Sequence, residues 1–171
     1  MSSKIKVYVG LDTVDSKNLG CQLVSHQIRK ILNNKSDIDS VYYDSAFDSS
    51  LSLKDIDVLR NSDIVYINGE GACNGSMAPN VRSVLDKSIK YKKPIYFSNF
   101  TFDPRPQFGN NINKDSLNQW MSYFSLCKKV SVRDPISYVF LKNNGLSNVL
   151  LAPDIGTSYY NQEDVEVEVI V

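Results

Sequence analysis

The chain has 171 residues, with 19 Lys or Arg against 19 Asp or Glu and a formal net charge of zero. That length buries one good core and leaves two full α/β domains cramped, and the balanced charge, without a long run of one sign, excludes the electrostatic footprint of a nucleic-acid or anionic-membrane binder. Cys21, Cys73 and Cys127 are odd in number, far apart and without CxxC spacing, which fits neither a disulfide framework nor a zinc site and points to a reduced, cytoplasmic setting.

No apolar run approaches the length of a membrane span, and MSSKIKVYVG is a polar lead into a strand, without the apolar core and cleavage site of a signal peptide. Lys4 to Val9 alternates into a first strand that stops at Gly10. LDTVDSKNLG is then a polar loop ahead of an amphipathic helix from about Leu19 to Leu32. Leu23, Val24, Ile28 and Ile31 share one arc of that helix and Gln22, Ser25, His26, Arg29 and Lys30 the other, so the single histidine faces solvent. Val41 to Tyr43 is a second strand and Leu51 to Arg60 a short helix.

The stretch Asp63 to Gly71, DIVYINGEG, is the centre of the pattern. Ile64 to Ile67 is a β-branched and aromatic run of the kind a parallel sheet covers on both faces, and it ends abruptly at Asn68. Gly69 and Gly71 allow positive φ and a close approach of backbone to ligand. Glu70 between them repels phosphate, so it suits accepting hydrogen bonds from hydroxyls, taking a proton from one, or bracing the loop. The alternative is that GEG is only a tight strand-to-helix turn.

Met77 to Tyr91 places Val81, Val84, Leu85 and Ile89 on one helical stripe. Pro94 to Phe97 begins the next strand, followed by the long loop SNFTFDPRPQFGNNINKD, either a functional segment or a flap. Leu117, Trp120, Met121 and Phe124 fall at helical spacing and read as core. Val130 to Val132 is a strand; Asp134 caps a helix, Pro135 suits its first turn, and Ile136, Val139 and Phe140 face the core until Gly145. Asn148 to Leu151 is a further strand ending at PDIG. Val165 to Val171 alternates apolar and acidic residues like an exposed edge strand.

Strand and helix alternate six times, which predicts α/β architecture: a single doubly wound, mostly parallel, Rossmann-like sheet flanked by helices, with right-handed crossovers. Residues 1–162 make this domain, and 163–171 are an edge strand or the stunted start of a second one. Ligands bind such sheets beyond the carboxyl ends of the strands, which gathers Gly10 to Asn18, Asn68 to Gly75, Ser98 to Asn111, Arg133 and Asp154 along one rim. Arg133 lies where a strand ends and a helix begins, so its guanidinium can join the helix terminus in holding a phosphate or carboxylate; the alternative is a salt bridge to Asp134 or another carboxylate. Asp154 suits binding ligand hydroxyls, capping a turn, or pairing with Arg133. There is no GxSxG, HExxH, Walker loop or GxGxxG, so neither a Ser-His-Asp triad nor a metal centre is expected.

Taken in order, NLGCQ at Asn18 to Gln22, SDIVYINGEG, KKPIYF, SVRDPIS with LKNNG, and LAPD resemble the characteristic stretches of the polysaccharide pyruvyl transferase family over nearly the whole chain. Its members have a two-domain arrangement similar to GT-B glycosyltransferases. The resemblance implies transfer of a pyruvyl group from phosphoenolpyruvate, the donor substrate, to two hydroxyls of a saccharide acceptor, forming a cyclic ketal, with no cofactor. Arg133 matches the family arginine linked to the donor, and Glu70 joins it as the second catalytic position. Asn18, Gly69, Gly71, Asn99 and Asp154 are the further substrate-binding positions facing the cleft. The chain departs from the pattern at Cys21, where many members have Asp, at Glu70, where glycine is commoner, and in SNFTFDP, which lacks the usual glycines. The family's second α/β domain supplies a histidine; the partners implied are therefore a second copy or a separate second-domain chain. Two other readings of the same fold are a non-catalytic glycan-binding or partner-docking module and a fragment of a nucleotide-sugar glycosyltransferase.

Overall fold

The computed structural model describes residues 4–45, 50–70, 73, 77–102 and 113–159. Six strands, β1 (Ile5–Asp12), β2 (Ile38–Ser45), β3 (Ile64–Asn68), β4 (Ile95–Phe100), β5 (Lys129–Val132) and β6 (Val149–Leu151), alternate with five helices, α1 (Leu19–Asn33), α2 (Leu53–Asn61), α3 (Pro79–Lys90), α4 (Lys114–Leu126) and α5 (Pro135–Asn143), and a 3₁₀ turn follows at Ile155–Tyr159. The strands form one sheet in the order β2-β1-β3-β4-β5-β6, and every pairing is parallel. The expected doubly wound, Rossmann-like architecture is what forms.

Crossover handedness explains the two faces. The connection from β1 to β2 runs in one direction along the sheet and all later ones run in the other, so right-handed crossovers set α1 on one face and α2 to α5 on the opposite face. On the first, Val24, Ile28 and Leu32 of α1 pack on Val7 and Val9. On the second, an aromatic layer fills the space under α4: the Phe97 and Phe124 rings lie 5.2 Å apart and those of Trp120 and Phe124 5.3 Å apart. Helix starts are fixed by side chains that accept the orphan first-turn N–H groups: Asn18 for α1, Ser52 with a capping box to Asp55 for α2, Asn113 for α4 and Asp134 for α5.

Several elements differ from expectation. β1 does not stop at Gly10 but continues to Asp12, because Gly10 lies beneath α3, where a Cβ would stand 3.1 Å from Val84 Cγ1. β4 extends beyond Phe97 to Phe100, carried through a register shift between those residues and a positive φ of 63° at Asn99, a residue type that tolerates that region. In α5, Ile136 and Val139 are exposed while Ser137 and Leu141 face inward. The cap sets that phase: Asp134 accepts from Ser137 N at 2.8 Å, and Ser137 Oγ accepts from Phe102 N at 2.7 Å, which turns Ser137 toward the sheet. Likewise Ser25 is buried, not on the polar arc of α1, since its hydroxyl accepts from Thr13 N at 2.9 Å. His26 is exposed. Gly71, residues 103–112 of the long loop, and residues 163–171 lie outside the described residues.

Gly69 is where backbone and core meet most tightly. A Cβ there would come within 2.6 Å of the Phe97 ring and 2.9 Å of Phe100 Cβ and Ser98 O. Gly69→Ala is therefore expected to destabilise the fold by about 1–3 kcal/mol, the usual range for overpacking. Urea unfolding followed by fluorescence of Trp120, the only tryptophan, measures this; an unchanged midpoint would contradict the packing.

Candidate active site

The sheet order places the topological switch between β1 and β3, because the chain leaves β1 toward one edge and builds the rest of the sheet from β3 toward the other. The two neighbours of β3 are both irregular at this end. β1 has a register shift between Val9 and Asp12 with φ of 63° at Leu11, and β4 has its own shift with the same φ at Asn99. Positive φ at a bulky residue such as Leu11 is unusual and, like other strained backbone, concentrates at functional sites.

β3 delivers Glu70 to this rim. Asn68, buried at the strand end, accepts from Glu70 N at 3.4 Å, and Gly69 N donates to Ser98 O at 2.7 Å. The turn is thus tied to both β3 and β4. The Glu70 side chain is 10% exposed, and its Oε1 lies 4.0 Å from Arg133 Nη1. Burial pushes its carboxyl above the usual carboxylate range, the Arg133 guanidinium opposes that, the charge of Asp154 adds to it, and a hydrogen bond with the Cys21 thiol opposes it. The thiol in turn is pushed up by burial and by Glu70, and so is held protonated.

Arg133 follows β5. Its backbone N–H donates to Phe100 O at 3.1 Å, its Nε to Thr101 Oγ1 at 3.1 Å and its Nη1 to Asp154 Oδ2 at 2.7 Å. The salt-bridge partner is Asp154 and not Asp134, whose carboxylate is committed to Ser137 at the α5 cap. Asp154 also caps the 3₁₀ turn: its Oδ1 accepts from Gly156 N at 2.9 Å and its main-chain oxygen from Thr157 N at 2.9 Å. Pairing and capping are both realised. Asn99, buried, accepts from Ile155 N at 3.0 Å and so fastens the same turn to β4.

Of the positions singled out from sequence, Glu70, Arg133, Asp154 and Asn99 are therefore brought into one crevice. Asn18 stands at the start of α1, its Oδ1 committed to Gly20 N at 2.8 Å and Cys21 N at 3.4 Å. Gly69 lines the turn, but its missing side chain is accounted for by Phe97 and Phe100 beneath it. Sequence reasoning assigns no role to Cys21, Asn68 or Thr101. A signal exists for Cys21, since the first turn of a helix leaving β1 must face the rim; Asn68 reads only as the end of a strand, and Thr101 falls within what reads as a loop.

Chemically the crevice holds one guanidinium between two carboxylates, with a protonated thiol and two buried carboxamides. Among the described residues there is no group of three or more His, Cys, Asp or Glu that could hold a metal ion, and no helix is long and apolar enough to cross a membrane.

A family model described as Polysaccharide pyruvyl transferase matches residues 18–166. The chain belongs to that family. No curated protein matches it.

The raised carboxyl of Glu70 has a stability consequence. The folded state binds that proton more tightly than the unfolded chain, so the native protein is best placed below the ordinary carboxylate pKa and loses stability as pH rises through the elevated one. Relative to Glu70→Gln, which cannot ionise, the urea midpoint of the native protein should fall as pH rises from about 4, the ordinary carboxylate pKa, through the elevated one. Parallel midpoints across that span would contradict the burial of an ionisable Glu70.

Proposed function

We propose that this member of the family transfers the pyruvyl group of phosphoenolpyruvate to two hydroxyls of a glycan, forming a cyclic ketal and releasing phosphate. The observation that carries this reading is Arg133 at a strand-to-helix junction with Glu70 Oε1 4.0 Å from its guanidinium: an anion-binding fork and a proton-exchanging group side by side.

The reaction needs a cation where negative charge gathers and a group that moves one proton. Arg133 presents a planar fork suited to carboxylate or phosphate oxygens. An incoming anion competes with Asp154 for it, and the partial exposure of both side chains, 28% and 29%, leaves room for that exchange. Glu70 accepts the proton of the first attacking hydroxyl and passes it to the methylene carbon of the enol. The hydroxyl oxygen bonds to the central carbon, the bond from that carbon to the phosphate oxygen breaks, and the second hydroxyl closes the ketal as its proton leaves with phosphate. A carboxyl raised from its ordinary range by burial is closer to neutral pH in both directions of transfer.

Titration of the protein with phosphoenolpyruvate by calorimetry tests the donor assignment. The native protein should bind saturably, Arg133→Ala should weaken binding by about tenfold or more, and Arg133→Lys should not restore it, because an ammonium cannot reproduce the fork. No binding by the native protein at millimolar ligand, or equal binding by Arg133→Ala, would overturn the reading.

A further inference from the structure

Three buried polar atoms in the crevice have no partner among the described residues: Asn68 Nδ2, Glu70 Oε2 and Asn99 Nδ2. Each carboxamide is oriented by its oxygen, which accepts Glu70 N in Asn68 and Ile155 N in Asn99, so the free NH₂ groups are not a matter of amide flips. Asn68 and Asn99 are 1% and 3% exposed, and the Glu70 side chain 10%. Orphaned groups at that depth cost roughly 1–3 kcal/mol each and call for a ligand or water.

A closed circuit of contacts joins the three residues. Asn68 holds the backbone of Glu70, whose side chain lies beside Arg133. Arg133 holds Asp154, and the next residue, Ile155, is held by Asn99. Asn99 follows Ser98, the register partner of Asn68. The circuit therefore gathers the three residues at the carboxyl ends of β3 and β4. Two of them are N–H donors and one is a carboxylate acceptor. An oxygen that accepts two hydrogen bonds and donates one answers this set, which is the valence of an alcohol or water. A phosphate or carboxylate oxygen meets the amides but is repelled by ionised Glu70, and an ammonium has nothing with which to accept from the amides.

We propose that Asn68, Glu70 and Asn99 form the subsite for the attacking hydroxyl of the saccharide acceptor. The two amides fix its oxygen and Glu70 Oε2 receives its proton. The identity of that hydroxyl rests on the pyruvyl-transfer reading above; the subsite adds Asn68 as a binding residue and separates the acceptor, at β3 and β4, from the anionic donor at Arg133. In the absence of saccharide the same place suits a water, which the test must distinguish.

In the ¹⁵N-labelled full chain, the side-chain NH₂ signals of Asn68 and Asn99 are followed while methyl glucoside, galactoside and mannoside, and separately phosphoenolpyruvate, are added. Asn68→Asp and Asn99→Asp identify these signals; each variant keeps the oxygen that holds the backbone and exchanges only the orphan donor for an acceptor. At least one glycoside should shift both NH₂ pairs saturably, and its affinity should fall by about tenfold or more in each variant. Glycosides that leave both pairs unmoved in the native protein overturn the subsite and leave water as the occupant, as does glycoside affinity in both variants within about twofold of native. The native spectra alone decide between glycoside and water if a variant fails to fold. Phosphoenolpyruvate binding with no glycoside response removes the subsite alone, whereas no phosphoenolpyruvate binding removes the donor reading.

Discussion

The site depends on one carboxylate kept nearly out of water. Glu70, at the end of β3, has a side chain 10% exposed and a guanidinium 4.0 Å from one of its oxygens. Burial and the nearby cation pull its protonation in opposite directions, and burial prevails. The carboxyl therefore holds its proton more tightly than a free carboxylate, which suits a group that must take one from a hydroxyl. Cys21 of α1 lies beside the same carboxylate, and its own thiol is pushed up for the same reason, burial beside a negative charge.

Topology puts the carboxylate there. β3 is central in the sheet, and both neighbouring strands break register near their carboxyl ends with their outer partners, β1 with β2 and β4 with β5, while their pairing with β3 stays regular. Beneath the turn the Phe97, Phe100, Phe102, Trp120 and Phe124 rings form a close-packed layer with no room for a side chain at Gly69. The aromatic core and the site are thus coupled through one glycine. The layer sets how deep the turn sits, and the depth sets how far Glu70 is removed from water.

Much of this is legible in the sequence. Among the described residues, alternating or continuous apolar runs and period-3.6 stripes place the six strands and five helices, and Asp134-Pro135 marks the start of α5 unambiguously. Phase and extent are what the patterns miss. The apolar spacing places Phe140 against the core correctly but assigns Ile136 and Val139 an inward face that they do not have, because a hydrogen bond from Phe102 to Ser137, across 35 residues of sequence, sets the phase of this nine-residue helix. The ends of β1 and β4 fall later than the local signals suggest, since a glycine or a positive-φ asparagine within a strand looks locally like a turn. At the site, sequence position alone puts Glu70, Arg133 and Asp154 on a common rim. It does not decide between Asp134 and Asp154 as the partner of Arg133, because that depends on which carboxylate the helix cap consumes. Asn68 and Asn99 are invisible as a pair: only the β3–β4 register brings them together.

The pairing of Arg133 with Asp154 does not compete seriously with an anion-binding role. Both side chains are more than a quarter exposed, and an ion pair in that setting contributes about 0–1 kcal/mol. A phosphate or carboxylate offering two oxygens to the fork makes charge-assisted bonds in a geometry that Asp154, engaging only Nη1, does not use. Displacement also leaves Asp154 with its capping bonds to Gly156 and Thr157, so the 3₁₀ turn need not come undone when the guanidinium changes partner. The larger electrostatic obstacle is Glu70. It is less exposed than Asp154 and therefore less screened. An anion on Arg133 therefore raises the proton affinity of Glu70 further across the same 4.0 Å separation, which makes the carboxylate a stronger base toward the attacking hydroxyl.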